Sequence, residues 1–249
     1  MKLNLRKLIF PFTLWGPVRI FLYSPFLDYH QYALTSFIKK QSKKIPYKAL
    51  VLDVGAGELK YKKYFEHCRY FALDRCVGDQ SWDFSRMNLI ADADQLPVRS
   101  QSCDIVLCVQ VLEHLRFPRE VFKEFQRVLK VGGKLILTAP LGFGEHQIPY
   151  DFYRFTRFAL KGLGEEQGLR LTSIEPHGGI FLNMECIFWE AIMMLNPLKK
   201  WNWGWYMFYC FLLPFKFVSG IIFTMLDVLD RQKSYTLNYN CVFEKISEL

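Results

Sequence analysis

Ala49-Leu50-Val51-Leu52-Asp53-Val54-Gly55-Ala56-Gly57-Glu58 sets the pattern that the rest of the chain follows. Leu50–Val54 is a short run of branched apolar residues that stops at two glycines, with a polar, helix-compatible segment beyond. The pattern predicts a buried strand, a tight turn and a helix start. Glycines in such a turn let backbone come close to a ligand. The N-terminus of the following helix would offer free N–H groups to an anionic part of it. The stretch therefore reads as a site for a nucleotide-type cofactor.

Outward from this stretch the pattern is regular. Tyr70–Leu73 predicts a second strand ending on Asp74, Asn88–Ala91 a third, Asp104–Val109 a fourth, Lys134–Thr138 a fifth and Leu169–Ile174 a sixth. Tyr61–Cys68 suits a helix. Arg119–Leu129 suits another, with Val121, Phe122, Phe125, Val128 and Leu129 on one face and Gly132-Gly133 closing it. Phe158–Gln167 predicts a third, and Tyr235–Phe243 a last strand. Strands that are apolar throughout, alternating with helices, indicate an α/β chain with a parallel sheet covered on both faces.

The chain has 249 residues, enough for one substantial core with an appendage. Its seven cysteines show no Cys-x-x-Cys pair and no metal-type spacing, which points to buried thiols in a reducing compartment. The net charge of +8 is local: residues 1–48 hold nine Lys/Arg and one acid, and the remainder balances. The aromatics within that basic segment (Phe10, Phe12, Trp15, Phe21, Tyr23, Phe26) favour anionic lipid over nucleic acid as its partner. Pro11, Pro17 and Arg19 break its apolar run, and no small-x-small cleavage site follows. An interfacial anchor, or a helix lying on the core, is the expectation.

After the sixth strand the pattern departs. Ile180–Leu195 is apolar with Glu185 and Glu190 as its charges, and Trp201–Leu229 is more apolar still. Pro214 and Lys216 lie near the middle of the second run, and a charge at mid-bilayer costs roughly 2.5 kcal/mol or more. Two shorter helices meeting near Pro214, on or dipping into one leaflet, are therefore expected. A cap on the sheet, or a dimer interface, is the alternative. The expected organisation is a basic aromatic segment over 1–48, a core over 49–178 and 233–249, and an apolar helical insert over 179–232.

Four features converge on the C-terminal edge of the sheet, where ligands of open α/β sheets bind. They are the Gly55-Ala56-Gly57 turn; Asp74, 21 residues after Asp53; Asp92-Ala93; and Gln110 followed by Val111-Leu112-Glu113-His114. An acid at the end of the second strand suits ribose hydroxyls. Asp92 is positioned to accept from an adenine amino group. A nicotinamide site would want glycine at position 60, where the chain has Lys60.

Asp53-Val-Gly-Ala-Gly57, Asp92-Ala-Asp-Gln-Leu-Pro97, Cys103-Asp-Ile-Val106 with Glu113-His114-Leu115, and Arg127-Val-Leu-Lys-Val-Gly-Gly-Lys-Leu-Ile-Leu-Thr-Ala-Pro140 together resemble the class I S-adenosylmethionine-dependent methyltransferases, most of all the branch acting on small molecules and lipids. Leu59 and Val131 depart from residues common in that family. The resemblance implies a Rossmann-like, doubly wound sheet of seven strands with the last antiparallel. It implies S-adenosyl-L-methionine as cofactor. Gly55, Ala56 and Gly57 would border its methionine part, Asp74 its ribose, Asp92 and Ala93 its adenine and Gln110 its sulfonium. Asp53 would support the loop or the cofactor's amino group.

His146-Gln-Ile-Pro149-Tyr-Asp151-Phe-Tyr-Arg154-Phe-Thr156 resembles a loop of a bacterial subgroup associated with cell-surface glycan synthesis. It follows the fifth strand, where it can cover an acceptor. His146 could take a proton or order the acceptor, and His114 could touch substrate or hold the loop. Arg154 and Arg157 could pair with a phosphate. Alternatively Asp151 and Arg154 form an i,i+3 ion pair and Thr156 caps the next helix. No metal site is apparent. The expectation is a methyltransferase acting on an oxygen of a small, lipid-linked or glycan-type acceptor, at the inner face of the membrane in the cytoplasm. Membrane contact would run through 1–30 and 201–229. The alternatives are a soluble small-metabolite enzyme that dimerises through the insert, and a cofactor-binding scaffold without catalysis.

Overall fold

The computed structural model describes residues 25–78, 82–195 and 202–247. Residues 1–24 of the expected N-terminal contact segment 1–30, and Trp201, lie outside them. The chain divides into a larger unit, 34–176 with 238–249, and a smaller one, 1–33 with 177–237.

The larger unit is built on a seven-stranded sheet: β1 (Leu50–Val54), β2 (Arg69–Asp74), β3 (Leu89–Ile90), β4 (Cys103–Val109), β5 (Leu129–Pro140), β6 (Leu169–His177) and β7 (Asn238–Lys245). Their order across the sheet is β3-β2-β1-β4-β5-β7-β6. The ladders β1–β2, β1–β4, β2–β3 and β4–β5 are parallel, and β7 runs antiparallel to β5. The strand order reverses between β1 and β4, which opens a crevice at their C-terminal ends. Successive side chains feed opposite faces. Leu52 and Val54 of β1, with Val106 and Cys108 of β4, join a core with Phe122 and Phe125. Val51, Ile105, Leu107 and Val109 join a second core with Phe37 and Ile38. Those two aromatic-rich faces come from α2 (Pro118–Val128) and from α1 (Tyr29–Ser42). Burial on both sides explains why the strands are apolar throughout.

Three local expectations are corrected. No α-helix follows Gly57: Lys62–Tyr64 makes one 3-10 turn, and Leu59 sits at φ 59°, outside helical space. α2 ends at Val128, and β5 begins at the next residue. Gly132-Gly133 is therefore not a helix stop. It absorbs an irregularity in the ladder, where Cys103 pairs with Leu129 but Ile105 pairs with Lys134. The third strand is only two residues long, because the loop after it is tied down by side chains instead. Arg127 donates to the carbonyls of Leu96 and Val98 while pairing with Glu124 at 2.7 Å, and Glu124 accepts from the Leu96 N–H. Thr156 accepts from the Ala159 N–H and caps α3 (Arg157–Glu166), as expected.

In the smaller unit, α4 (Ile180–Met194) packs against α5 (Asn202–Asp227). The Asp227 carboxylate accepts from the N–H groups of Gly179 and Leu182 at the start of α4 and pairs with Lys233 at 2.8 Å. α5 is a single helix of 26 residues with Pro214 inside it, not two helices. A proline in a helix interior costs about 3 kcal/mol. Packing beyond it offsets that cost: Trp189 donates to Ser219, Phe217 meets Phe26 edge to face, and a Cβ at Gly220 would fall 1.9 Å from the Phe26 carbonyl oxygen. Lys216 lies 3.8 Å from Glu185 and over the Trp189 ring, so this charge has an acidic neighbour.

Candidate active site

The C-terminal ends of β1, β2 and β4 bring the first group of expected residues together. Asp53 is buried near the end of β1 and accepts a hydrogen bond from Tyr70 of β2. Burial first, and the neighbouring Asp74 next, push its pKa up to about 7 against the Tyr70 hydrogen bond. Asp74 accepts from the N–H of Gly57 at 2.9 Å and from that of Cys76 at 2.7 Å. These bonds aim the carboxylate across the glycine turn. Tyr70 was not legible as a site residue, since its hydroxyl is one polar atom in an apolar strand.

The turn does not offer free donors to an anion. The N–H groups of Gly55 and Ala56 both donate to Leu73, and that of Gly57 is taken by Asp74. The expected anion cradle is therefore absent among the described residues, as is the helix that would supply it. What the turn requires is its shape. Gly55 has φ 76°, and a Cβ there would meet Val111 at 2.4 Å. The Trp82 ring lies 3.4 Å from where a Cβ of Gly57 would be.

Two carboxylates, Asp53 and Asp74, thus share this edge with no basic side chain paired to either among the described residues. Such a donor set fits a ligand with a diol and a cationic amine, and it does not fit a phosphate. Asp92 follows β3 and pairs with Arg75 at 2.9 Å, with Ala93 buried beside it. Asp92, Ala93, His114 and Phe117 line one cavity of about 310 Å³. A larger cavity, about 730 Å³, opens at the opposite edge of the sheet among Lys48, Asp104, Lys130 and Glu175, away from these residues.

Gln110 follows β4 at φ 55°, a conformation that costs a non-glycine residue on the order of 1 kcal/mol. Its backbone N–H and its side-chain amide both donate to Thr138 of β5. The bend turns the chain into a 3-10 turn, Leu112–His114, that leads to the second group.

Glu113 is fully buried, and neither of its carboxylate oxygens has a hydrogen-bond partner. Burial pushes its pKa up to about 8. His114 Nε2 and His146 Nε2 approach Glu113 Oε1 at 3.8 and 3.9 Å. The other ring nitrogens face carbonyls: His114 Nδ1 lies 2.5 Å from Tyr150 O and His146 Nδ1 lies 3.1 Å from Gly144 O. The two rings meet edge to face, 4.7 Å apart. Burial, and then His146, hold the His114 pKa down against the Tyr150 bond. Glu113 stood in a recognised motif, but its convergence with both histidines was not legible across 32 residues of chain.

Arg154 donates from Nε to Phe143 O, from Nη1 to Asp151 and Tyr153 O, and from Nη2 to Gly144 O and Asp151. All five of its N–H donors are engaged inside the loop, which favours the ion-pair reading over phosphate binding. This pairing holds the Asp151 carboxyl far below its usual pKa. Arg157 lies over the rings of Phe158 and Tyr239.

Residues 52–137, about a third of the chain, match a family described as Methyltransferase domain. The chain is 38% identical over 101 residues to a malonyl-[acyl-carrier protein] O-methyltransferase of Marinomonas sp., covering 36% of this chain and 37% of that one. It is 29% identical over 100 residues to the tRNA (carboxymethyluridine(34)-5-O)-methyltransferase ALKBH8 of Mus musculus, covering 38% of this chain and 15% of that one. The chain thus spans well under two thirds of these curated relatives. Among solved structures, the putative methyltransferase in complex with the Haloferax volcanii Trm112 activator superposes with a TM-score of 0.55 at 14% identity, over 94% of this chain and 96% of that one. The Burkholderia thailandensis 1,6-didemethyltoxoflavin-N1-methyltransferase superposes at 0.53 and 14%, over 96% and 92%, and that structure holds S-adenosylhomocysteine. The fold is that of the solved methyltransferases, and residues 52–137 resemble a methyltransferase domain, the kind whose cofactor is S-adenosyl-L-methionine.

Proposed function

We propose that the chain is an active methyltransferase that works at a membrane surface, transferring a methyl group to an oxygen of a lipid-linked or glycan-type amphiphile. The observation that carries the membrane part is one face of α5. Met207, Phe211, Phe215, Val218, Ile222 and Met225 recur every three to four residues, and each is at least half exposed. The segment Met207–Asp227 is long and apolar enough to cross a bilayer, by length and composition. A contiguous apolar surface of this kind marks contact with lipid or protein. In this reading 49–178 with 233–249 is the catalytic core, 179–232 its membrane-facing insert, and the site lies at the cytoplasmic face. The His146–Thr156 loop resembles that of enzymes associated with cell-surface glycans, which favours such an acceptor.

S-adenosyl-L-methionine supplies an activated methyl group when bound, so the protein's part is alignment and exclusion of water. Asp74 would accept from the ribose hydroxyls, Asp53 from the amino group, and Asp92 with Ala93 would border the adenine. Gln110 and Gly55-Ala56-Gly57 would shape the reacting end. His146, with Nδ1 turned to a carbonyl, presents Nε2 as the nitrogen that orders the acceptor hydroxyl or takes its proton. Methyl-labelled cofactor incubated with enzyme and a membrane extract tests the reading: label should enter the organic phase, and label confined to water-soluble product would overturn it. The same α5 face would also bury against a second copy. A dimer in detergent-free solution, lost when Phe211 and Phe215 become Glu, would favour the soluble alternative.

A further inference from the structure

We propose that Glu113, His114 and His146 form a binding site for one divalent transition-metal ion. Carbonyl oxygens only accept, so the contacts of His114 Nδ1 with Tyr150 O and of His146 Nδ1 with Gly144 O fix a proton on each Nδ1. In a neutral ring this leaves a lone pair on each Nε2. Both lone pairs approach Glu113 Oε1, itself only an acceptor when ionised. The separations of 3.8 and 3.9 Å are too long for a hydrogen bond to bridge. When Glu113 is ionised, three acceptors therefore face one another in a largely buried place, and His114 Nε2 and both Glu113 oxygens have no hydrogen-bond partner. Burying such groups unsatisfied is costly, and a cation at their centre removes the cost.

The dimensions suit this. The three ligand atoms lie within 4.8 Å of one another. Ligands at about 2.1 Å around a tetrahedral ion stand about 3.4 Å apart, so a small inward movement closes the site. Two imidazoles and a carboxylate suit zinc, manganese, iron or cobalt, and suit magnesium and calcium poorly. Backbone carbonyls on the outer nitrogens are the usual way that metal-binding histidines are oriented. His146 keeps about a third of its side chain exposed, which leaves one side of the site open to a further ligand.

The ion's role rests on the oxygen-acceptor reading above. An acceptor hydroxyl bound to it loses its proton more readily, to solvent; the oxygen then forms the new bond to the methyl carbon as the sulfur–carbon bond breaks. With the ion bound, His146 Nε2 would order the acceptor through the metal, and the proton-accepting alternative given above for it would fall to solvent.

Cobalt(II) added to the chelator-treated full chain, without cofactor or acceptor, is the test. We expect one equivalent to bind, with the intense visible bands of a low-coordinate site, and affinity at least tenfold weaker in His146→Ala. Glu113→Gln should act likewise. If that buried change prevents folding, the partly exposed His146→Ala decides. Absent bands, or equal affinity in wild type and His146→Ala, would overturn the site. Because no methyl transfer is read, that failure is distinct from failure of the proposed function.

Discussion

Arg154 grips Asp151 with both terminal nitrogens, at 2.7 and 2.8 Å, and the same carboxylate accepts the N–H of His146 at 2.9 Å. One ion pair thus fixes the two ends of the loop that presents His146. Asp151 is almost fully buried in this pair. Arg154→Ala would leave that carboxylate and the Phe143, Tyr153 and Gly144 carbonyls short of donors. It should destabilise the larger unit by roughly 2–4 kcal/mol in chemical denaturation. Arg154→Lys should recover only part of this, since an ammonium cannot reproduce the fork. Cofactor binding should be retained in Arg154→Lys while methyl transfer falls. Equal loss of both would show that the loop also shapes the donor site.

Gly55 and Val111 are coupled. Gly55→Ala adds a methyl where Val111 already stands, at a backbone angle unfavourable to side chains. The variant should lose about 2–4 kcal/mol of stability. Val111→Ala should recover the steric share when combined with it, leaving about 1 kcal/mol of backbone strain. A double-mutant cycle by thermal or denaturant melting measures the coupling; strict additivity would show that the two residues do not meet.

Asp53 gives a pH dependence with a definite sign. Its folded pKa is raised to about 7, so between about pH 4 and 7 the folded state holds the proton that the unfolded state has released. Stability of the cofactor-free protein should therefore fall as pH rises through that window and level off above it. Asp53→Asn should flatten this part of the profile. Cofactor affinity should run the other way, tightening as pH rises towards 7, because the ionised carboxylate attracts the cationic ligand. Calorimetry at pH 5.5 and 7.5 checks this, and a pH-independent affinity would remove Asp53 from the site.

The apolar face of α5 makes a separate expectation. Replacing Phe211 and Phe215 with Glu should move the protein from the membrane fraction to the soluble fraction after lysis. Both side chains are largely exposed, so the fold should be little affected. Unchanged partitioning would place the membrane contact elsewhere.

These expectations show where the sequence was legible. Leu50–Val54 was read residue for residue, because a strand buried on both faces must be apolar at every position. α2 was read to within a residue from the spacing of Val121, Phe122 and Phe125. The segment after Gly57 misled because its composition tolerates a helix, whereas Leu59 and the turn's hydrogen bonds to Leu73 and Asp74 do not. Pro214 misled in the opposite direction: local propensity argued for two helices, and contacts between α4 and α5 keep one. At the site, residues at strand ends were legible because topology fixes where strand ends gather. The meeting of Glu113, His114 and His146 was not, because it depends on a loop closed by Arg154 and Asp151.

Equilibrium binding of S-adenosyl-L-methionine to wild type and Asp74→Ala decides whether the β1–β2–β4 edge holds the cofactor. One molecule should bind per chain, with affinity at least tenfold weaker in Asp74→Ala and the fold unchanged by circular dichroism. No binding to wild type, or equal binding by the variant, would contradict it.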